Sequence, residues 1–399
     1  MSPFGSSPPA TTPTSPASPS FAESISLPST TFSGRLSSSV GVVALDGTKV
    51  QANASKHKAM SYQRIQADES KIQAEIASLL QRAEEADRAD DARFGEGHRD
   101  EDLPAELRRR EGRLAKLKEA KRALEREARE TRIAELEGQS EGQEHSAATH
   151  EDPVERKRAA ARASASRQKA EELRDQIDDD EPPPSGGVTE QGFQTHRTKA
   201  TVDGEPHPKA QYNFTDPQSR IQKRDGAYLQ GYNAQVAVDG HAQVIVAQGG
   251  SNLQPDNSHL QPLLEQTRTN LGAVPEATVG DAGYWSCENA RYGEEYGTNL
   301  LLATQRVAHG GPPEPPATSP EDASDARELM RRKLATEDGR SLYARRKVIV
   351  EPVFGQIKEA RGFRRFLLRG LDKVSGEWSM RTATHNLLKL YRNVRPAFA

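Results

Sequence analysis

Two stretches that read as buried β-strand, Val40 to Leu45 and about Tyr232 to Val238, are separated by a long, densely charged segment reaching to about Arg174. Within it, Ala105 to Arg129 places Leu107 and Leu114, then Leu117 and Leu124, seven residues apart among Glu, Lys and Arg. This spacing predicts a helical hairpin or short coiled coil, with breaks near Gly95 to Pro104 and Gly138 to His150. Any sheet built from the flanking strands must therefore close across a helical insertion. Only 34% of the residues are hydrophobic and 28% are charged, so the core is concentrated in part of the chain.

The rest of the chain divides by composition. Residues 1–39 form a Ser/Pro/Thr-rich tract without apolar periodicity, expected to be a disordered tail. The expected domains are a first piece of the globular fold at 40–60, the helical insertion at 61–177, a linker at 178–210 containing DDDEPPPSGG, and the main part of that fold at 211–396. A hairpin is expected at Tyr232 to Val238 and Gln243 to Gln248, turned by Asp239-Gly240. A helix with Leu260, Leu263, Leu264 and Leu271 follows from Asp256, then a strand at Ala277 to Tyr284, a helix from Ser286 and a strand at Asn299 to Ala303. A polar loop, His309 to Asp325, leads to the last helices.

The C-terminal stretch Ser341 to Gly370 carries the strongest functional signal. Tyr343, Lys347, Glu351 and Lys358 share one helical face, ringed by Arg345, Arg346, Arg361, Arg364, Arg365 and Arg369. Residues 340–395 contain fourteen Lys/Arg against four Asp/Glu, although the whole chain has a formal charge of -3. Such a surface suits a polyanion, and one carboxylate within it suits a hard divalent cation held beside a nucleic-acid backbone. The bland alternative is a solvated amphipathic helix burying Val348, Val350, Val353, Phe354 and Ile357. From this stretch alone the two readings balance.

Asp46 closes the first strand and Asp281 the Ala277 strand. An acid at the end of a buried strand can line a site, whereas Asp46-Gly47 can equally be a turn. Two such acids with Glu351 on a later helix could converge on one sheet edge and clamp two Mg²⁺ ions for in-line attack at phosphorus. Asp216 is a rival first acid, better suited to a turn or helix cap. Asp239 belongs to the hairpin turn. His259 and His385 fit structural roles, and Ser219 and Ser286 lack a base nearby in sequence. No Gly-rich nucleotide loop occurs, so no nucleotide cofactor is implied. No stretch approaches the roughly 20 apolar residues of a membrane span. The single cysteine, Cys287, excludes a disulfide framework, and a cytoplasmic setting is expected.

The blocks VALDGTKVQANASKHKAMSY, NFTDPQSRIQKRDGAYLQGYNAQVAVD, DAGYWS and RRKVIVEPVFGQIKEARGFRRFLLRG resemble, in this order, those of bacterial insertion-sequence transposases of the DDE class. The resemblance spans about Val40 to Ser61 and Tyr212 to Tyr391. It implies an α/β, RNase H-like catalytic domain interrupted by the coiled-coil insertion, with Asp46, Asp281 and Glu351 as catalytic, metal-binding acids for two Mg²⁺ ions, replaceable by Mn²⁺. It also implies a Tyr, Arg, Glu, Lys signature: Tyr343, Glu351 and Lys358 match, and either Arg346 or Lys347 fills the Arg position. These residues, with Arg361, Arg364, Arg365, Arg369 and a base-stacking Trp285, would contact DNA. Family members usually carry a helical segment where this chain has its Ser/Pro tract. The implied activity is cleavage at transposon ends and strand transfer into double-stranded target DNA by a bacterial, nucleoid-associated homodimer, which the Leu107 to Leu124 coil could help assemble. The alternatives are an RNase H-like nuclease, or an inactive transposase remnant that at most binds DNA through its coiled coil.

Overall fold

The computed structural model describes residues 41–94, 105–177, 187–224, 226–305 and 326–394. The expected N-terminal tail, the break at Gly95 to Pro104, most of DDDEPPPSGG and the loop His309 to Asp325 lie outside these residues.

The architecture is a mixed α/β sheet with helices on both faces. Its strands are β1 (Val42–Gln51), β4 (Arg220–Arg224), β5 (Ala227–Asp239), β6 (Ile245–Ser251), β7 (Ala277–Gly280) and β8 (Asn299–Leu302), ordered β4-β5-β1-β7-β8 with β6 also paired to β5. β1 runs antiparallel to β5, with Val43 opposite Asp239 and Gln51 opposite Gly231. β7 is parallel to β1, and β8 is parallel to β7. The expected end of the first strand at Asp46-Gly47 is corrected by this pairing. Hydrogen bonding to β5 carries β1 on to Gln51, so Asp46 lies within a strand rather than in a turn. The β5–β6 connection is likewise longer than a two-residue hairpin. Asp239 Oδ2 accepts from the amides of His241 (3.1 Å) and Ala242 (2.7 Å), and pairing resumes at Ile245.

Alternation along β1 divides the core into two layers. Val42 and Ala44 face one side, where they pack with α7 (Glu337–Gly355) and α8 (Leu371–Val394) through Ile349, Val350, Val353, Val374 and Trp378. Val43 and Leu45 face the other, against Leu260, Leu263 and Leu264 of α4 (Leu260–Leu271) and Tyr296 of α5 (Cys287–Tyr296). Ser286 caps α5 by accepting from the Asn289 amide at 3.0 Å. Phe193 is fully buried in this second layer, so the stretch expected as linker is packed against the domain there.

Between β2 (Ala59–Ser61) and its partner β3 (Gln211–Asn213) the chain runs through α1 (Tyr62–Phe94), α2 (Ala105–Thr149) and α3 (Pro153–Arg174). α2 continues through Gly138, and the turn comes only at residues 150–152, where Asp152 caps α3. Leu117 and Leu124 pack against Tyr62, Ile65 and Ile72 of α1. Leu107 is also buried, so these three leucines are used within the arm and are not exposed for a second chain.

The last helices follow from local chemistry. α6 spans Ala326–Ala335, and Thr336 then caps α7 by accepting from the Gly339 amide at 3.0 Å, with Glu337 and Asp338 favourably placed in the first turn. Pro352 lies inside α7 and has no N–H to offer the carbonyl of Val348. Gln243 Nε2 supplies that donor at 2.9 Å, tying α7 to the β5–β6 connection. A π-helical turn, Gln356–Ala360, ends the helix. Asp216 is fully buried and accepts from Tyr232 Oη at 2.9 and 2.8 Å and from the Gly370 amide at 3.2 Å, so it anchors the start of α8.

Candidate active site

The parallel register of β1 and β7 brings two acids side by side. Ala44 pairs with Val279, and Asp46 and Asp281 each lie two residues further on, on the same face as those partners. Adjacent strands stand about 4.8 Å apart, so two carboxylates in one row repel each other unless a proton or a cation intervenes. Asp46 records that repulsion: burial and then the Asp281 carboxylate push its pKa up to about 7, against the opposing pull of Arg346 and the Gly47 amide. The Gly47 N–H donates to Asp46 Oδ1 at 2.8 Å, and the Gly283 N–H donates to Asp281 Oδ1 at 2.8 Å.

A third acid, Asp256, joins the pair from the turn before α4. A Cβ on Gly283 would lie 2.9 Å from Asp281 Oδ1 and 3.0 Å from Asp256 Oδ2, so the absence of a side chain there lets both carboxylates approach. Asp256 Oδ1 is held by Lys49 Nζ at 2.9 Å, Asn233 Nδ2 at 2.8 Å and Gln235 Nε2 at 2.7 Å. Burial pushes its carboxyl up, but Lys49 and these hydrogen bonds outweigh it and hold the pKa below the ordinary value. Asp256 is therefore a fixed, compensated charge, whereas Asp46 is an uncompensated one. Sequence reasoning missed this role because the partners come from β1, β5 and the turn, which meet only in the fold.

Of the residues expected on the basic helix, Arg346 faces the acids. Its Nη1 lies 3.7 Å from Asp46 Oδ2, and its guanidinium stands 6.0 Å from the centre of the half-buried Tyr343 ring. Tyr343 is raised in pKa, chiefly by burial, and feels both Asp281 and Asp46. Lys347 and Glu351 are exposed. Glu351 follows Arg346 by five residues, about 140° further round the helix, so the two cannot share one direction. Among the described residues no group of three or more His, Cys, Asp or Glu could hold a metal. The structure thus brings Asp46 and Asp281 together and places Arg346, rather than Glu351, against Asp46.

The remaining expected DNA contacts are dispersed. Lys358 Nζ lies 5.5 Å from the Phe354 ring centre, Arg364 pairs with Glu359, Arg365 is exposed, and Arg369 Nε donates to the Asn53 carbonyl at 3.0 Å. Val348 is 71% exposed, while Val350, Val353 and Phe354 of α7 and Ile357 of the π-helical turn are buried, so the amphipathic reading holds for four of the five residues expected to pack inward. Tyr284 is fully buried and its hydroxyl donates to Gln235 Oε1. Trp285 packs at the margin of the second core layer with Arg327 6.0 Å from its ring centre. His259 and His385 are fully buried, and burial pulls the pKa of each down.

The family model described as the transposase DDE domain matches residues 316–391. That match supports a DDE-class transposase. It covers α6, α7 and most of α8, and hence Arg346, Glu351 and Lys358, while Asp46 and Asp281 lie outside it. A domain of this family acts on DNA as a nuclease or transposase and generally uses divalent metal. No curated protein and no solved structure matches the chain. No helix among the described residues is long and apolar enough to cross a membrane.

Proposed function

We propose that this chain is a DNA transposase that cuts at the ends of a mobile element and joins the resulting 3′-hydroxyl to target DNA at the Asp46–Asp281 pair. The observation that carries the reading is that pair itself: two adjacent carboxylates, one with its pKa pushed up to about 7, beneath a basic helix matched by the transposase DDE domain. Support for an RNase H-like domain comes from the strand order β6-β5-β1-β7-β8, three antiparallel strands followed by two parallel ones, with the first acid on the central strand.

The donor set fits a hard divalent cation, because it is oxygen-only and its mutual repulsion is relieved by positive charge. Two Mg²⁺ ions, or Mn²⁺ in their place, would supply an activated water or 3′-hydroxyl and offset charge on the leaving oxygen. Asp46 and Asp281 would hold them, with Asp46 giving up its proton on binding. Asp256, fixed by Lys49, keeps the neighbouring strand ends in register and adds negative potential. Arg346 partly offsets the charge of Asp46 and would pass to a DNA phosphate when metal takes its place, and Glu351, one turn beyond Lys347 on the exposed side of α7, is the proposed third acid. Lys347, Lys358, Arg361, Arg364, Arg365 and Arg369 would lie along the DNA backbone, and Trp285 would stack on an unpaired base. Holding two element ends at once requires at least a homodimer.

The test is cleavage of a labelled duplex carrying the flanks of this reading frame, with Mg²⁺, by the intact chain and by Asp281→Asn and Glu351→Gln. Cutting and joining lost in both variants is the expected result. Cutting without joining would make the protein a nuclease, and DNA binding without cutting would make it an inactive transposase remnant.

A further inference from the structure

A second cationic centre lies beyond the end of α7, where the π-helical turn meets α8. Arg361 closes that turn, and Gly362, at φ +65°, reverses the chain so that Phe363 enters the core. Phe363 stacks on Trp378 with ring centres 6.0 Å apart, and the Arg381 guanidinium lies 4.8 Å over the Phe363 ring. The side of α8 that carries Arg381 also carries Arg392, three turns later.

These cations act on one another. Arg361 is lowered in pKa by burial and then by Arg392 and Arg381, and Lys389 is lowered by burial and then by Arg392. The acids nearby do not balance them. Glu359 is engaged by Arg364. Glu377 Oε2 accepts from the amides of Leu367 (2.9 Å) and Leu368 (3.1 Å), and its other oxygen reaches Arg381 only at 3.9 Å. Lys389 Nζ donates to the neutral Gln243 side chain at 2.8 Å. Arg361 Nη1 and Arg381 Nε are buried without a hydrogen-bond partner in the protein. Buried donors left unmade are costly, and gathered like charges add to that cost. An anion presenting several oxygens to the accessible edges of the guanidinium forks relieves the charge crowding.

We propose that Arg361, Arg381 and Arg392, with Lys389 at their edge, form a phosphodiester-binding site that seats a DNA backbone apart from the Asp46–Asp281 pair. The ligand class rests on the DNA-processing reading above. The site extends DNA contact from α7 along α8, so a bound duplex is gripped at a place where no acid can cut it. Phosphate oxygens would accept from the solvent-accessible N–H groups of these guanidinium groups, and the aromatic platform of Phe363 and Trp378 holds Arg381, whose side chain is 36% exposed, in position to receive them.

The test is fluorescence polarisation of a labelled 30-base-pair duplex with the full chain, in EDTA so that no cleavage intervenes, across 50–200 mM salt. Arg392→Gln and Arg381→Gln/Arg392→Gln are compared with the parent chain. Each lost phosphate contact lowers the slope of log affinity against log salt by about 0.9, so the double variant is expected to lose roughly 1.8 and the single roughly 0.9. Arg392 is exposed, so Arg392→Gln, checked by thermal melting, keeps the test valid if Arg381→Gln unfolds the chain. An unchanged slope and affinity in a folded Arg392→Gln variant overturns the proposal. So does a melting shift with inorganic phosphate that Arg392→Gln abolishes while DNA binding stays at the parent level, since the site would then serve free phosphate. If the parent chain cuts no DNA yet the slopes fall as expected, the catalytic reading fails and this site stands.

Discussion

The arm of α1 to α3 and the pocket around Asp46 are both rich in charge, but they use it in opposite ways. In the arm, charges pair across the helices at the surface: Arg113 with Asp68 at 3.2 Å, Arg110 with Glu75 at 3.0 Å and Lys121 with Glu69 at 3.2 Å. Each exposed pair contributes little, and the apolar seams beneath them hold the helices together. In the pocket, Asp46, Asp281 and Asp256 converge with two cations, and one carboxylate is left with its pKa near 7. Charge density therefore does not set the proposed site apart in this chain. Burial combined with incomplete compensation does.

The largest effect that could break this contrast is on catalysis. Asp281→Asn should lower DNA cleavage by roughly 10³-fold or more, read by single-turnover assay, because the charge-stabilising group at the reacting phosphate is lost. The same change in the arm, Asp68→Asn, should leave the rate unaltered. Next comes the compensated acid: Lys49→Met leaves Asp256 buried and unpaired, and should cost about 3 kcal/mol in urea unfolding.

Asp46 gives the third effect, with a definite sign. Its folded pKa of about 7 exceeds the ordinary carboxyl value of 3.8, so its contribution is fully present below about pH 4 and is lost as pH rises through 7. In EDTA, unfolding free energy should fall between pH 4 and 7 by about 2–4 kcal/mol. Asp46→Asn should remove most of that fall and be the more stable protein at pH 8. A parallel pH dependence in the two proteins would show that Asp46 is not the strained group. The smallest effect belongs to the arm, where Arg113→Ala should change stability by under about 1 kcal/mol. A larger loss would mean that the arm's surface pairs carry weight comparable to the pocket's.

Much of this architecture is legible in the chain because local signals agree with the fold. The apolar runs at Val42–Leu45, Ala277–Gly280 and Asn299–Leu302 are strands, and the acids beside the first two, Asp46 and Asp281, are neighbours. Ser286 marks a helix start by its own side chain. What is not legible depends on contacts distant in sequence. β1 runs past Gly47 because β5, nearly two hundred residues on, offers its backbone. Asp256 acquires its role from Lys49, Asn233 and Gln235, none of them near it in the chain. Phe193 is drawn out of an apparent linker by the Leu260–Leu264 surface. The face of α7 that meets the acids is set by burial of Ile349, Val350 and Val353, which turns Arg346 inward and Glu351 outward. Spacing among Tyr343, Lys347, Glu351 and Lys358 alone could not fix that rotation.

The most direct measurement is Mn²⁺ binding to the intact chain, followed by electron paramagnetic resonance at pH 8, for the parent and for Asp46→Asn and Asp281→Asn. The account predicts bound Mn²⁺ in the parent, affinity that weakens as the pH falls below 7 as Asp46 regains its proton, and loss of binding in either variant. Binding unchanged in both variants, or independent of pH between 6 and 8, would contradict a divalent site at the Asp46–Asp281 pair.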